Sequence, residues 1–121
     1  MLILFVEYHA SFRQSASFMM DREDDMEVVS QAGSVAEGRE KMAEGGIDAA
    51  VVDVPLPDVG AAQMVRELSD SNPSIPVLVL TRAEDPEARE AFSKAGASEV
   101  LSKGCTFAQV LAAVRRLGDE A

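Results

Sequence analysis

The chain alternates short, continuous apolar runs with longer segments in which apolar residues recur at helical spacing. A continuous apolar run is typical of a strand that is buried on both faces, as in a parallel sheet. Parallel strands need crossover connections, which are usually helical and right-handed. The pattern therefore predicts five strand–helix units that form a doubly wound α/β sheet with helices on both faces. The predicted strands cover residues 2–6, 28–29, 49–52, 77–80 and 100–101.

Local signals mark where several of the predicted helices begin. Ser34 and Thr106 each stand three residues before a Glu or Gln, which is the spacing of a capping box. Asp85 followed by Pro86 is a favourable start, because Asp accepts from the first free N–H groups and Pro suits the first helical position. In the first helix, four apolar side chains fall at helical spacing and are expected to fill the core: Phe12, Ala16, Met19 and Met20.

Four polar residues follow four of the predicted strands. Glu7 follows the first strand, Asp53 the third, Thr81 the fourth and Lys103 the fifth. In an open α/β sheet, ligands bind beyond the carboxyl ends of the strands, near the point where the strand order reverses. A single polar residue at a strand end is ordinary, since loops are exposed and polar. Four complementary residues at the same edge predict a functional site.

The chemistry of these four side chains favours phosphoryl transfer. Two carboxylates held close together repel each other, and a hard divalent cation such as Mg²⁺ relieves that repulsion. A lysine ammonium and a threonine hydroxyl can both bind phosphoryl oxygens. We therefore predict that Asp53 accepts a phosphoryl group and becomes an aspartyl phosphate, with Thr81 and Lys103 assisting.

Composition and charge indicate the cellular compartment of the protein and exclude some classes of binding partner. The 121 residues carry a formal net charge of −10, which disfavours direct nucleic-acid binding because phosphate backbones require clustered Lys and Arg. Cys105 is the sole cysteine, so no internal disulfide can form. The absence of disulfides is typical of proteins in a reducing compartment. The apolar start at residues 1–6 is too short for a signal peptide or a membrane span. We expect a cytoplasmic protein without a membrane segment.

Several segments resemble receiver domains of response regulators, in particular those of LuxR-type transcription regulators. Residues 51–57, VVDVPLP, resemble the phosphorylation loop, with Asp53 in the acceptor place. Leu80–Thr81 and residues 101–104, LSKG, resemble the switch-threonine and lysine segments, and residues 9–14 and 27–33 resemble the first helix and the second strand. The resemblance covers nearly the whole chain and implies one receiver domain over residues 1–121, with a flavodoxin-like sheet of order 2-1-3-4-5 and five helices.

The chain also departs from the receiver pattern. An acidic pair usually follows the first strand, whereas this chain has Glu7–Tyr8, and a neutral phenol is a poor Mg²⁺ ligand. The resemblance implies a metal held by Glu7, Asp53 and the backbone carbonyl of Pro55, and we expect weak Mg²⁺ binding. Other departures are Arg82 in place of a small residue, Val100 in place of an aromatic switch residue, and Gly60–Ala61 in place of an acidic–Gly pair.

The resemblance implies a partner that donates the phosphoryl group, either a histidine kinase or a small phosphodonor. It also implies a helix-turn-helix output domain in a longer parent protein, and it leaves open whether the domain forms a homodimer. A first alternative is a pseudo-receiver that binds partners without regulated phosphorylation. A second is a small flavodoxin-like enzyme, which is disfavoured because no Gly-rich phosphate loop is present. No catalytic or ligand role is expected for His9 or Cys105.

Overall fold

A computed structural model describes residues 1–54, 61–82 and 85–120 of the chain. Five strands alternate with five helices along these residues. The strands are β1 (Leu2–Val6), β2 (Glu27–Ala32), β3 (Ala49–Val54), β4 (Val77–Thr81) and β5 (Glu99–Ser102). The helices are α1 (Ala10–Asp21), α2 (Val35–Glu44), α3 (Ala61–Ser71), α4 (Pro86–Lys94) and α5 (Phe107–Glu120). Within the described ranges, no helix combines the length and apolarity that a bilayer crossing requires.

The five strands form one parallel sheet in the order β2-β1-β3-β4-β5. The predicted flavodoxin-like topology is therefore confirmed. All six residues of β3 are buried, because this strand is central and both faces of the sheet are covered. The strand order reverses between β1 and β3, so the carboxyl ends of these two strands flank the crevice in which such sheets bind ligands.

The pleat of the sheet divides the core into two clusters. Successive side chains of a strand point to opposite faces. One cluster contains Val52, Val54 and Val79 and packs against α2, α3 and α4. The other contains Phe5, Val51 and other alternate strand residues and packs against α1 and α5. The side chains at the carboxyl ends of the strands are divided between the same two faces.

The predicted helix starts are confirmed by side-chain hydrogen bonds. Ser34 Oγ accepts from the backbone N–H of Glu37 at 3.2 Å, and an Asp85 carboxylate oxygen accepts from the N–H of Glu87 at 2.9 Å. At α5 the capping box is reciprocal: Thr106 Oγ1 accepts from the N–H of Gln109, and Gln109 Oε1 accepts from the N–H of Thr106. These bonds satisfy N–H groups that have no partner inside the helix.

Three details differ from the sequence expectation. The second strand was predicted over two residues, 28–29, whereas β2 spans six. Asp53 and Thr81 belong to the strands themselves and do not follow them. Asp53 is the residue before the last in β3, which continues to Val54, and Thr81 is the last residue of β4. In α1, Ala16 and Met20 are buried as expected, but Phe12 and Met19 are 52% and 46% exposed. The buried stripe of this helix is therefore narrower than its apolar stripe.

Candidate functional site

The strand register brings the acidic residues together. Val6 of β1 is the register partner of Val52 of β3, so the next residues of the two strands, Glu7 and Asp53, lie side by side. Val54 is the partner of Thr81 on the other side of β3. Three of the four predicted site residues therefore come from adjacent strand ends.

Lys103 reaches the same place from β5. Its backbone N–H donates to the carbonyl of Thr81 at 2.8 Å, which holds the start of the following turn against the end of β4. Its side chain then contacts Oδ1 of Asp53 through Nζ. Lys103 shares the strand parity of Leu101, and Asp53 that of Val51, both of which pack on the α1 and α5 side of the sheet.

Glu7 and Asp53 are buried carboxyl groups, with side chains only 1% exposed. The two acids are close enough that each shifts the pKa of the other, and burial of two neighbouring carboxyl groups favours a proton on one of them. Within the described residues, Oδ1 of Asp53 receives no well-oriented hydrogen bond, and the ammonium of Lys103 is its ionic partner. Glu7, Asp53 and Lys103 thus form one compact charged cluster.

The environment divides the proton unequally between the two acids. Burial and the neighbouring Glu7 raise the pKa of Asp53 to about 7, although Lys103 opposes the rise. Burial also acts to raise the pKa of Glu7, but its hydrogen bonds with Asp53 and His9 outweigh burial and hold the pKa below its ordinary value. Below about pH 7 the proton of the pair therefore resides mainly on Asp53, and Glu7 is the acid that stays ionised.

Sequence reasoning missed two residues that position Glu7. His9 donates its backbone N–H to Glu7 Oε1 at 3.0 Å, and its Nδ1 lies 3.1 Å from the same oxygen. Arg13 donates from Nη1 to the backbone carbonyl of Glu7 at 2.8 Å. His9 is also the N-cap residue of α1, so its closeness to Glu7 in the chain was the available signal. Nothing in the sequence pattern singles out Arg13.

The donor set fits a divalent cation held by two carboxylates. Glu7 and Asp53 supply two adjacent oxygen donors, which suffices for Mg²⁺ because this ion keeps several of its water ligands. Tyr8, which stands where a second acid is usual, is 73% exposed. Across the described part of the chain, no three or more His, Cys, Asp or Glu side chains are arranged to hold a metal. The expected third ligand, Pro55, lies outside the described residues.

The remaining departures fall around this cluster. Arg82 is exposed and comes immediately after β4. Val100 is half-buried and packs against the core cluster on the side of the sheet that α2, α3 and α4 cover. Arg89 of α4 donates from Nη2 to the carbonyl of Val100 at 2.7 Å, which ties α4 to β5. Gly60 lies outside the described residues, whereas Ala61 begins α3 and is buried.

The sequence is similar to known proteins along nearly its whole length. The response regulator receiver domain matches residues 3–115. Response regulator GacA of Pseudomonas viridiflava is 31% identical over 113 residues, which cover 93% of this chain and 53% of that protein. The DNA-binding transcriptional activator DevR/DosR of Mycobacterium tuberculosis is 30% identical over 116 residues, 96% of this chain and 54% of that protein. The chain thus spans about half the length of these relatives.

Solved structures agree in fold. A LuxR-family response regulator from Aurantimonas sp. SI85-9A1 superimposes with a TM-score of 0.87 at 22% identity, covering 98% of this chain and 85% of that one. The receiver domain of NarL from Mycobacterium tuberculosis gives a TM-score of 0.85 at 20% identity, covering 99% and 97%. Taken with the family match over residues 3–115, the topology and the acidic cluster lead to one conclusion: this chain belongs to the response regulator receiver domain family of two-component systems.

Proposed function

We propose that the chain accepts a phosphoryl group on Asp53 and thereby modulates an output domain or partner. The observation that carries this proposal is the contact of Lys103 Nζ with Oδ1 of a buried aspartate at the end of the central strand. A buried carboxylate next to an ammonium and a second acid is suited to react with a phosphoryl group that brings negative charge into the site.

In the proposed step, an oxygen of the Asp53 carboxylate forms a bond to phosphorus. The bond from phosphorus to the leaving group breaks, and its electron pair stays on the imidazole nitrogen of a phosphohistidine or on the oxygen of a small acyl phosphate. In this proposal Lys103, which contacts Asp53, binds a phosphoryl oxygen, and Thr81 on the neighbouring strand donates its hydroxyl to another. Asp53 must first lose its proton, because the protonated acid is a poor nucleophile.

Glu7 and Asp53 are the residues that would hold Mg²⁺, an ion whose charge neutralises phosphoryl oxygens when it is bound. With two protein carboxylates, we expect weaker affinity than a site with three acids provides. Pro55 remains the proposed backbone ligand.

The output is proposed from the relatives. DevR/DosR is a DNA-binding transcriptional activator, and this chain matches about half of its length. We propose that a helix-turn-helix output domain follows in a longer parent protein, and that a histidine kinase supplies the phosphoryl group. The net charge of −10 argues that these 121 residues do not contact DNA themselves.

We further propose that phosphorylation changes the surface of α4 and β5 only modestly. Val100 has a stiff side chain with no polar tip, and the hydrogen bond from Arg89 holds its backbone to α4. Coupling below the ~1–3 kcal/mol that is typical of allosteric proteins is expected. Amide chemical shifts with beryllofluoride and saturating Mg²⁺ should change near Asp53 alone. Large shifts throughout α4 and β5 would contradict this part of the proposal.

Intact-mass measurement tests the acceptor directly. The wild type, incubated with Mg²⁺ and acetyl phosphate, should gain the mass of one phosphoryl group, and Asp53→Asn should gain none. Asp70→Asn, which removes a carboxylate at an exposed position of α3, is the matched control and should react like the wild type. Phosphorylation that survives Asp53→Asn would disprove the assignment. A folded wild type that accepts no phosphoryl group from acetyl phosphate or from kinases would identify a pseudo-receiver.

A further inference from the structure

An open cleft that includes the acidic cluster lies between α1 and α5. Its volume is about 960 Å³, at the upper end of the range for small-molecule sites. Glu7, Asp53 and Lys103 line one end of it. The two helices supply apolar walls: Phe12, Ala16 and Met20 from α1, and Phe107 and Val110 from α5. The cleft is larger than a phosphoryl group requires, and the proposed transfer to Asp53 does not use its apolar part.

The wall formed by α1 includes a large aromatic side chain, Phe12, that the core does not cover. It is 52% exposed and lies one helical turn before Ala16 and two before Met20, so its ring extends the buried stripe of α1 into open space along the cleft. Phe18 of the same helix is 65% exposed but does not line the cleft. A phenyl ring that borders a cavity offers an apolar surface that a ligand can cover.

The charges at the polar end favour an anion. The carboxyl groups of Glu7 and Asp53 already interact with each other, with His9 and with Lys103. The ammonium of Lys103 retains donors beyond its contact with Asp53, since it has three N–H bonds. Arg82 also lines the cleft, and none of the described residues pairs with its guanidinium. Lys103 and Arg82 are therefore the charged groups of the lining with the most capacity left to bind an added ligand, and both are positive.

We propose that this cleft binds a small amphipathic monoanion, with its apolar body between α1 and α5 and its carboxylate or sulfonate at Lys103 and Arg82. The apolar body packs against Phe12, Phe107 and Val110. The proposal does not depend on phosphorylation of Asp53. Because the anionic group and a phosphoryl group would both use the ammonium of Lys103, binding of this ligand and phosphorylation of Asp53 oppose each other.

Two fluorescent probes of similar shape test both halves of the proposal. Anilinonaphthalene sulfonate carries an anionic group, whereas N-phenylnaphthylamine is neutral, and the chain has no tryptophan to interfere. The full chain should bind one sulfonate probe per molecule. Phe12→Ala should weaken the binding of both probes about tenfold, as loss of part of a buried phenyl contact implies. Phe18→Ala, the matched control on the same helix, should leave both affinities within about twofold, because surface changes usually have small effects.

The charge is tested separately. Arg82→Gln should weaken the sulfonate probe by about two- to fivefold, in the range of an exposed ion pair, and leave the neutral probe unchanged. Arg39→Gln, an exposed arginine on α2, should change neither. Equal losses in the Phe12 and Phe18 variants would overturn the apolar part, and an unchanged preference for the sulfonate in Arg82→Gln would overturn the anionic part.

Two further outcomes would remove the proposal as a whole. Sulfonate fluorescence that rises in mild urea, instead of falling with the folded fraction, would mean that the probe reports exposed core. Loss of probe binding as the chain dimerises at higher concentration, followed by sedimentation, would assign the cleft to a second copy of the chain.

Discussion

The buried acid pair should make the domain less stable as the pH rises, and Asp53→Asn should remove this effect. The pKa of Asp53 is raised from its ordinary 3.8 to about 7, so the folded state keeps a proton that the unfolded state has already lost. A raised pKa contributes stability at low pH, and that contribution disappears as the pH increases through the folded value. The loss therefore falls between about pH 4 and pH 8.

The size of the effect follows from the two pKa values. Each unit of pKa difference corresponds to about 1.4 kcal/mol. Stability is lost as the pH rises from the unfolded pKa of 3.8 to the folded pKa of about 7, and about two pH units of that rise lie above pH 5. The free energy of unfolding should therefore fall by about 2–3 kcal/mol over this interval, a large share of the ~5–15 kcal/mol of a typical domain. The pKa of Glu7 is lowered, so its contribution has the opposite sign and is confined to more acidic conditions.

Urea unfolding in metal-free buffer with a chelator, followed by circular dichroism at several pH values, measures the effect. The wild type should lose the stated stability between pH 5 and pH 8, and Asp53→Asn should lose little and be the more stable protein at pH 8. Asp70→Asn removes the same formal charge at an exposed position and should follow the wild type. If wild type and Asp53→Asn have the same pH dependence, the proton is not held by Asp53 and the reasoning fails.

Three further changes test other parts of the structure. Tyr8→Asp should tighten Mg²⁺ binding in isothermal titration, because it adds a charged oxygen ligand; an unchanged affinity would count against a two-carboxylate site. Arg89→Met should speed hydrogen exchange in α4, since it removes the 2.7 Å bond to the Val100 carbonyl, and unaltered exchange would show that this bond restrains nothing. Gly96→Ala should cost about 2–4 kcal/mol in urea unfolding, because Gly96 has φ 120° and a Cβ there would lie 2.4 Å from a side chain of α3. Gly45→Ala, where φ is 76° but the space is open, should cost less; equal losses would contradict the clash.

The sequence alone was sufficient for the topology. Continuous apolar runs reveal strands buried on both faces, and helix caps such as Ser34 and Asp85 are local features that need no knowledge of the rest of the fold. Once the elements are known, the right-handed crossover rule and the likeness to receiver domains leave the order 2-1-3-4-5, which the sheet has.

The membership of the acidic cluster was also accessible in part. Polar residues at the ends of apolar strands predicted Glu7, Asp53, Thr81 and Lys103, because parallel strands bring their carboxyl ends to one edge. The hydrophobic pattern does not show which of these residues are neighbours. The register of β1 and β3 places Glu7 beside Asp53, and Lys103 contacts Asp53 on the side of the sheet that α1 and α5 cover. The division of one proton between two acids depends on burial and distance, which no spacing in the chain expresses.

Tertiary structure alone decided the role of α1. Helical spacing assigned Phe12 and Met19 to the core, since an apolar periodicity records which residues share a face but not how far the neighbouring helix extends along it. Packing left Phe12 half exposed on a cleft toward α5 and buried Met20 completely. The contacts of Arg13 with Glu7 and of Arg89 with Val100 likewise join residues whose partners are fixed only when helices dock on the sheet. Local sequence thus determined the elements and their order. Distances that exist only in the folded chain determine the cleft, the proton on the acid pair and the hydrogen bond from Arg89 of α4 to Val100 of β5.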